Sequence, residues 1–167
     1  MFRKTSLVVT LAAALAGMAG AANAQDVIRH RNPGSNFPIA AAVEVPAGRT
    51  TVYVSGMVPT VTNEQAPRNS LASFGDTKAQ TVSVLQAIER ALQRVNLQMK
   101  DVVKMQVFLV ADPAKENRMD FAGFMEGYTQ FFGTPAQPNL PARSVMQVAG
   151  LVNPGWLVEI EVTAVRP

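Results

Sequence analysis

The chain nears its end with the letters WLVEIEVTAV, which occupy residues 156–165. Apolar side chains stand at every second position from Trp156 to Val162, and Glu159 and Glu161 fall between them. Successive side chains of a β-strand point to opposite faces, so this alternation predicts a strand with one buried face. Such a strand needs neighbouring strands and a second layer that covers its apolar side.

Two amphipathic helices are predicted upstream of this strand. The first follows Thr77 and Gln80, which fit a capping box, and its apolar residues recur at helical spacing. The second carries an aromatic stripe, which is typical of a helix packed on a core. The stripe of the first helix consists of Val84, Leu85, Ile88, Ala91, Leu92 and Val95, and that of the second of Phe121, Phe124, Met125, Tyr128, Phe131 and Phe132.

The other apolar runs predict four further strands. Runs 43–45 and 51–57 flank the turn letters PAGR and predict a hairpin, and runs 102–110 and 143–149 predict single strands. Residues 25–38 look like an extended lead-in, and residues 59–76 like a long surface loop of the kind that is often functional. The order β-β-α-β-α-β-β predicts an α+β domain with both helices on one face of the sheet.

The composition excludes several classes of protein. Of 167 residues, 48% are apolar, one is His (His30) and none is Cys. The chain is therefore not disordered, and it holds no disulfide framework, cysteine nucleophile or multi-His zinc centre. His30 lies between two arginines in the polar lead-in, which favours a surface position.

The first 24 residues have the pattern of a secretory signal peptide. Arg3 and Lys4 precede an uncharged run that ends in Ala22-Asn23-Ala24, a pattern that signal peptidase accepts. We expect cleavage after Ala24, which leaves a single domain over residues 25–167 in the periplasm or outside the cell. The alternative is an uncleaved membrane anchor. After cleavage we expect no stable membrane association.

The expected mature chain is nearly neutral. It keeps 13 of the 15 basic residues against all 12 acidic ones, and no basic cluster remains to neutralise a row of phosphates. The charge pattern therefore argues against nucleic acid as a partner.

Two charged residues are candidates for chemistry. Arg143 opens a strand directly after Pro141-Ala142, so its guanidinium is rigidly aimed and suits bidentate capture of a small carboxylate. Glu159 stands in mid-strand, where a carboxylate is disfavoured. The alternative for both is a solvated sheet face or an Arg–Glu pair. Ser55-Gly56 ends a strand where glycine permits close approach, and no base accompanies Ser55 as a nucleophile.

Five segments together resemble the RidA/YjgF family and span most of residues 36–166. They read VSG at 54–56, GDT at 75–77, DVVK at 101–104, PARS at 141–144 and VEIE at 158–161. The resemblance implies a chorismate-mutase-like fold and a homotrimer with ligand pockets between subunits. It also implies hydrolysis of 2-imino or enamino acids to 2-keto acids and ammonia, without a metal or organic cofactor.

Carried over by position, the resemblance assigns roles within that pocket. Arg143 matches the arginine that holds the substrate carboxylate, and Glu159 matches the glutamate that positions or activates the attacking water. Ser55 and Gly56 match residues of the pocket wall.

Four positions depart from the family pattern, and all four are apolar here. Ile39, Met57, Met125 and Val145 stand where the family usually has tyrosine, glutamine, asparagine and cysteine. They predict a more apolar pocket around Arg143 for a bulkier acid; alternatively, Met57 and Met125 only fill the core.

Two functions follow: an exported imine deaminase, or a non-catalytic trimer that binds small carboxylates. Ribonuclease activity, attached to some relatives, fits the near-neutral chain poorly.

Overall fold

The computed structural model describes residues 26–167. Within that range the chain forms six strands and three α-helices. They are β1 (Ile28–His30), β2 (Ala42–Glu44), β3 (Thr51–Met57), α1 (Leu71–Phe74), α2 (Thr77–Arg94), β4 (Val102–Val110), α3 (Phe121–Tyr128), β5 (Ala142–Val148) and β6 (Val158–Val165).

Four of the strands form one mixed sheet in the order β3-β6-β4-β5. The β3–β6 and β6–β4 pairs are antiparallel, and β4 and β5 run parallel. β3 and β5 are therefore the two edges of this sheet. The predicted α+β class is confirmed.

Helices α2 and α3 cover one face of the sheet and build the core with it. The predicted alternation of β6 is confirmed, because Val158, Ile160 and Val162 are buried while Glu159 and Glu161 are partly exposed. The aromatic stripe of α3 also packs inward, with Phe124 and Tyr128 fully buried. The opposite face, called here the open face, has no helix of the described chain against it.

The predicted hairpin between residues 43–45 and 51–57 is wrong. β2 pairs with β1, with Val43 opposite Arg29, and β3 pairs with β6 instead. Arg29 explains the pairing, because its guanidinium donates to the carbonyl oxygens of Lys100, Val102 and Leu140 at 2.8–2.9 Å. These bonds fix the lead-in beside the sheet, where it supplies a partner strand for β2.

The predicted capping box at the start of α2 is also wrong. Asp76 is the N-cap, and its carboxylate accepts from the Ala79 amide at 2.8 Å. Gln80 turns inward and is fully buried. Its Nε2 donates to the Gly75 and Gly155 carbonyls, and its Oε1 accepts from the Leu157 amide at 2.7 Å.

The remaining boundaries differ little from the prediction. The second helix ends at Tyr128, and Phe131 and Phe132 follow it in a turn closed by their amides on the Tyr128 carbonyl. The surface loop 59–76 contains α1 and is organised around Ser73, whose hydroxyl donates to the Pro67 carbonyl at 2.7 Å. His30 is exposed, as predicted, with Nε2 2.7 Å from Glu44 Oε1.

The predicted signal peptide and the predicted cleavage after Ala24 lie outside the described residues. Over residues 26–167, no helix has the length and apolar character to cross a membrane. In the same range, no cluster of three or more His, Cys, Asp or Glu residues is arranged to hold a metal ion.

Candidate functional site

Arg143 lies near the start of β5, at an edge of the sheet, and its guanidinium stands over aromatic rings. Its Cζ is 4.1 Å from the ring centre of Tyr128, 5.0 Å from that of Phe124 and 5.6 Å from that of Phe37. Nη2 donates to the thioether sulfur of Met125 at 3.2 Å. A thioether is a weak acceptor, so this contact leaves most of the hydrogen-bonding capacity of the cation unused.

The other arm of the guanidinium is buried and unpaired. Nη1 of Arg143 has no hydrogen-bond partner within residues 26–167, and the side chain forms no ion pair there. Burial lowers the pKa of Arg143 from its ordinary value, and the nearby Tyr128 opposes that shift. Because the ordinary pKa of an arginine lies far above neutral pH, the guanidinium keeps its charge at pH 7 despite this lowering. The edge of the sheet therefore carries a poorly compensated cation.

The rings beside Arg143 belong to a continuous aromatic row. Successive ring centres lie 6.4, 6.1, 5.7 and 5.0 Å apart. The row runs through Phe37, Phe121, Phe124, Tyr128 and Phe132. Burial raises the pKa of Tyr128 to about 12, against the opposing effect of Arg143, and the hydroxyl donates to the Pro38 carbonyl at 2.9 Å.

Glu159 lies on the open face beside a β-bulge in β3. Val54 pairs with Val162 and Met57 pairs with Ile160, so β3 has one residue more than β6 across this interval. Gly56 lies in the bulge, and a Cβ added there would overlap Oε1 of Glu159. The missing side chain at Gly56 therefore makes room for the carboxylate.

The Glu159 carboxylate makes no hydrogen bond or ion pair within the described chain. Ser55, the neighbour of Gly56, is exposed on the same open face. It lines a cavity of about 190 Å³ there, together with Tyr53, Val54, Lys104, Gln106, Glu161, Val162 and Thr163.

Arg143 and Glu159 occupy opposite faces of the sheet. Arg143 pairs with Met105, which is fully buried under the helices, whereas Glu159 pairs with Phe108 on the open face. Residues that pair across strands share a face, so the two charged groups do not meet within one protomer. The predicted alternative of an Arg143–Glu159 ion pair within the protomer is wrong.

Within one protomer, the four apolar departures are not gathered at one place. Met125 contacts Arg143, and Val145 lies two residues further along β5 on the same face. Ile39 is half-buried beside Ala40, whose amide donates to the Pro141 carbonyl at 3.0 Å. Met57 lies on β3, the opposite edge, and packs against the core.

Sequence reasoning missed the aromatic surround of Arg143. Phe124 and Tyr128 are one helical turn apart, and that spacing predicts only core residues. Phe37 is a large apolar residue placed before a proline in a polar segment, and that contrast was the available signal.

The fold and the two faces define a small α+β domain with an arginine at one sheet edge and a carboxylate over a bulge near the other. The family model described as endoribonuclease L-PSP matches residues 46–166. The chain therefore belongs to this family, which confirms the RidA/YjgF resemblance.

Individual relatives agree with this assignment. A RutC family protein of Pyrococcus horikoshii is 30% identical over 115 residues, which cover 69% of this chain and 79% of that protein. Among solved structures, a Rid family protein of Yersinia pestis matches with a TM-score of 0.61 and 25% identity, over 83% of this chain and 98% of that one.

A member of the YjgF/YER057c/UK114 family from Mycobacterium tuberculosis matches with a TM-score of 0.51 and 27% identity. The match covers 84% of this chain and 100% of that chain. The fold of the protein is therefore the chorismate-mutase-like α+β fold of these relatives.

Proposed function

We propose that this protein hydrolyses 2-imino acids to 2-keto acids and ammonia in a site shared by two protomers of a homotrimer. The observation that carries the proposal is the state of Arg143. Its guanidinium is fixed by aromatic packing, its Nη1 is buried without a partner, and no carboxylate of residues 26–167 neutralises it. A buried, unpaired donor is costly unless a ligand satisfies it.

The ligand group that fits this cation is a carboxylate. A planar guanidinium donates two parallel bonds to carboxylate oxygens, and charge-assisted bonds of this kind are stronger than neutral ones. A carboxylate therefore displaces the Met125 thioether from Nη2, since sulfur accepts only weakly. In this site Arg143 holds the carboxylate and so fixes the orientation of the imine carbon. A fixed orientation lowers the entropic cost of the attack by water.

Glu159 is the proposed proton carrier, supplied by a neighbouring protomer because it lies on the opposite face of its own sheet. It takes a proton from water as the oxygen attacks C2 and delivers that proton to the imine nitrogen, which gives a carbinolamine. A second transfer moves the hydroxyl proton to nitrogen. The C2–N bond then breaks, and ammonia leaves as the C2 carbonyl forms.

The test is ammonia and keto-acid release from imines that an amino-acid oxidase generates in situ. Arg143→Ala should weaken substrate binding by about 2–4 kcal/mol, the scale of a charge-assisted bond pair. Arg143→Lys should rescue little, because a point charge does not reproduce the fork. Arg90→Ala, an exposed arginine on α2, is the matched control and should behave like the unmodified protein.

Two results would contradict the proposal. One is ammonia release by a folded Arg143→Ala variant at the same rate as by the unmodified protein, with both rates above the enzyme-free rate. The other is no release with any imine. Melting curves of both arginine variants distinguish loss of the site from loss of the fold.

A second candidate is a trimer that binds small carboxylates without turning them over. It is favoured by the surroundings of Arg143, where three aromatic rings and the weakly accepting Met125 thioether lie against the guanidinium. Keto-acid binding by calorimetry that Arg143→Ala abolishes, together with no imine hydrolysis, would select this function.

We also propose that the protein is exported and begins at Gln25 after processing. The support is the Ala22-Asn23-Ala24 pattern behind an uncharged run. Intact-mass analysis of the exported protein is the test. A mass that retains residues 1–24 would contradict the proposal.

A further inference from the structure

We infer that the acid held by Arg143 carries an aromatic ring, which packs on an aromatic shelf formed by Phe37 and Phe121. The inference rests on the proposed role of Arg143 as a carboxylate anchor. The new element is the chemical class of the group attached to that carboxylate: an aromatic ring joined to it through a short linker.

The shelf is the exposed end of the aromatic row. Phe37 is 44% exposed and Phe121 is 36% exposed, whereas Phe124, Tyr128 and Phe132 further along are buried. The two shelf rings lie 6.4 Å apart at an interplanar angle of 19°. The exposed part of these two phenyl rings has gained nothing from folding, so a ligand ring that covers it gains additional burial free energy.

Both shelf residues are held in place before any ligand arrives. Pro38 restricts the backbone of Phe37 to extended conformations, and the Tyr128 hydroxyl holds the Pro38 carbonyl at 2.9 Å. Phe121 opens α3 directly after its N-cap, Asp120, whose carboxylate accepts from the Gly123 amide at 2.9 Å. A surface fixed in this way loses little entropy when a ring packs on it.

Phe37 of the shelf lies beside Arg143, so one ligand must satisfy both the guanidinium and the shelf. Arg143 Cζ is 5.6 Å from the centre of the Phe37 ring, so a molecule whose carboxylate meets the guanidinium has its next atoms over the shelf. Aromatic rings prefer ring partners in stacked or edge arrangements at such separations. The cation beside Phe37 also gives a carboxylate-bearing ring an advantage over a neutral one.

The experiment measures binding of unreactive 2-keto acids by calorimetry, so that no turnover is needed. Pyruvate, 3-cyclohexylpyruvate and 3-phenylpyruvate share the carboxylate and differ in the group on C3. We expect phenylpyruvate to bind the unmodified protein about tenfold or more tighter than pyruvate, and also tighter than the cyclohexyl acid.

The variants separate the shelf from the anchor. Phe37→Ala combined with Phe121→Ala should abolish the preference for phenylpyruvate, so that this variant binds the three acids with similar affinity. Phe37→Leu, which keeps apolar volume, should remove the advantage of phenyl over cyclohexyl. Arg143→Lys should weaken all three acids alike. Val152→Ala removes another exposed apolar side chain, 94% exposed, and is the matched control.

Three outcomes would overturn the inference. They are equal affinity for pyruvate and phenylpyruvate in the unmodified protein, a preference that survives in the double variant, and a fall in molecular mass of that variant. The last result would identify the shelf as a contact between copies of the chain. Keto-acid selectivity without imine hydrolysis would refute only the proposed reaction, and hydrolysis without selectivity would refute only the shelf.

Discussion

Tyr128 connects the aromatic row, the lead-in and Arg143. Burial raises its pKa from 10.0 to about 12, so the folded state keeps the phenol proton over a range in which the unfolded chain releases it. The stability attributable to this proton is fully present below pH 10 and is lost as pH rises through about 12. We expect Tyr128 to account for a loss of about 2 kcal/mol in unfolding free energy by pH 12.

The comparison with Tyr128→Phe measures that loss, because other titrating groups cancel between the two proteins. Near pH 8 the variant should be less stable by about 1 kcal/mol, since the bond to the Pro38 carbonyl is gone. The difference in denaturant midpoint should shrink or reverse above pH 10. A constant difference from pH 8 to pH 12 would contradict the raised pKa.

At the scale of residues, the sequence analysis predicted Arg143 and placed Met125 beside it, but it did not predict the aromatic neighbours. The proline before a strand indicated a rigidly aimed guanidinium, and local backbone rules suffice for that. Phe37 lies beside Arg143, and the carbonyl of the next residue, Pro38, is held by Tyr128, which lies ninety residues after Pro38 in the chain. No local pattern encodes a contact of that separation.

Among the elements, Gln80 joins α2 to the turn that precedes β6. Its buried amide satisfies the carbonyls of Gly75 and Gly155 and the amide of Leu157. Gln80→Leu keeps much of the volume and removes a partner from two buried backbone groups, the Gly155 carbonyl and the Leu157 amide, and from the partly buried Gly75 carbonyl. We expect a loss of about 2–4 kcal/mol in unfolding free energy, measured by urea denaturation. Gln86→Leu, exposed on the same helix, is the control and should change stability little.

A second element-scale prediction concerns the bulge in β3. Gly56→Ala places a methyl group against the Glu159 carboxylate and should displace it. If Glu159 carries the proton, kcat for imine hydrolysis should fall about a hundredfold while the fold persists. Gly150→Ala is the control, because a Cβ there meets nothing within 4 Å. Full activity in a folded Gly56→Ala variant would argue against a role for Glu159.

The identities of the longer strands and helices were readable from the sequence, whereas β1, α1 and the pairing of the strands were not. The bounds of β3, α2 and β4 follow from apolar periodicity and turn residues, which are local signals. The hairpin prediction failed because β2 and β3 are close in sequence, whereas their partners are chosen by long-range contacts such as those of Arg29.

At the scale of the whole molecule, the open face needs an explanation. Tyr53 is 81% exposed and Met146 is 38% exposed on it, among half-buried residues such as Phe108. A polar sheet face is stable in water, whereas a face with exposed aromatic and apolar side chains is stabilised when another protein surface packs on it. A homotrimer that packs these faces together is the proposed assembly. Light scattering that gives a monomer at micromolar concentration would contradict it.

The last prediction follows from the placement of Arg143 and Glu159 on opposite faces of one sheet. If the reaction needs both groups, each site takes its arginine from one protomer and its carboxylate from the next. Arg143→Ala and Glu159→Gln should then be inactive alone, because every site of either homotrimer lacks one group.

Co-expression of the two variants in equal amounts should restore activity. Under random assembly, about a quarter of the sites combine an intact Arg143 from one protomer with an intact Glu159 from the adjacent protomer. About a quarter of the unmodified activity should therefore return. Mixing the purified homotrimers without subunit exchange should return none and is the control. A site built within one protomer predicts no recovery in either case, since no single chain in the mixture then carries both groups. Complementation therefore measures directly whether the two faces of the sheet act on the same substrate molecule.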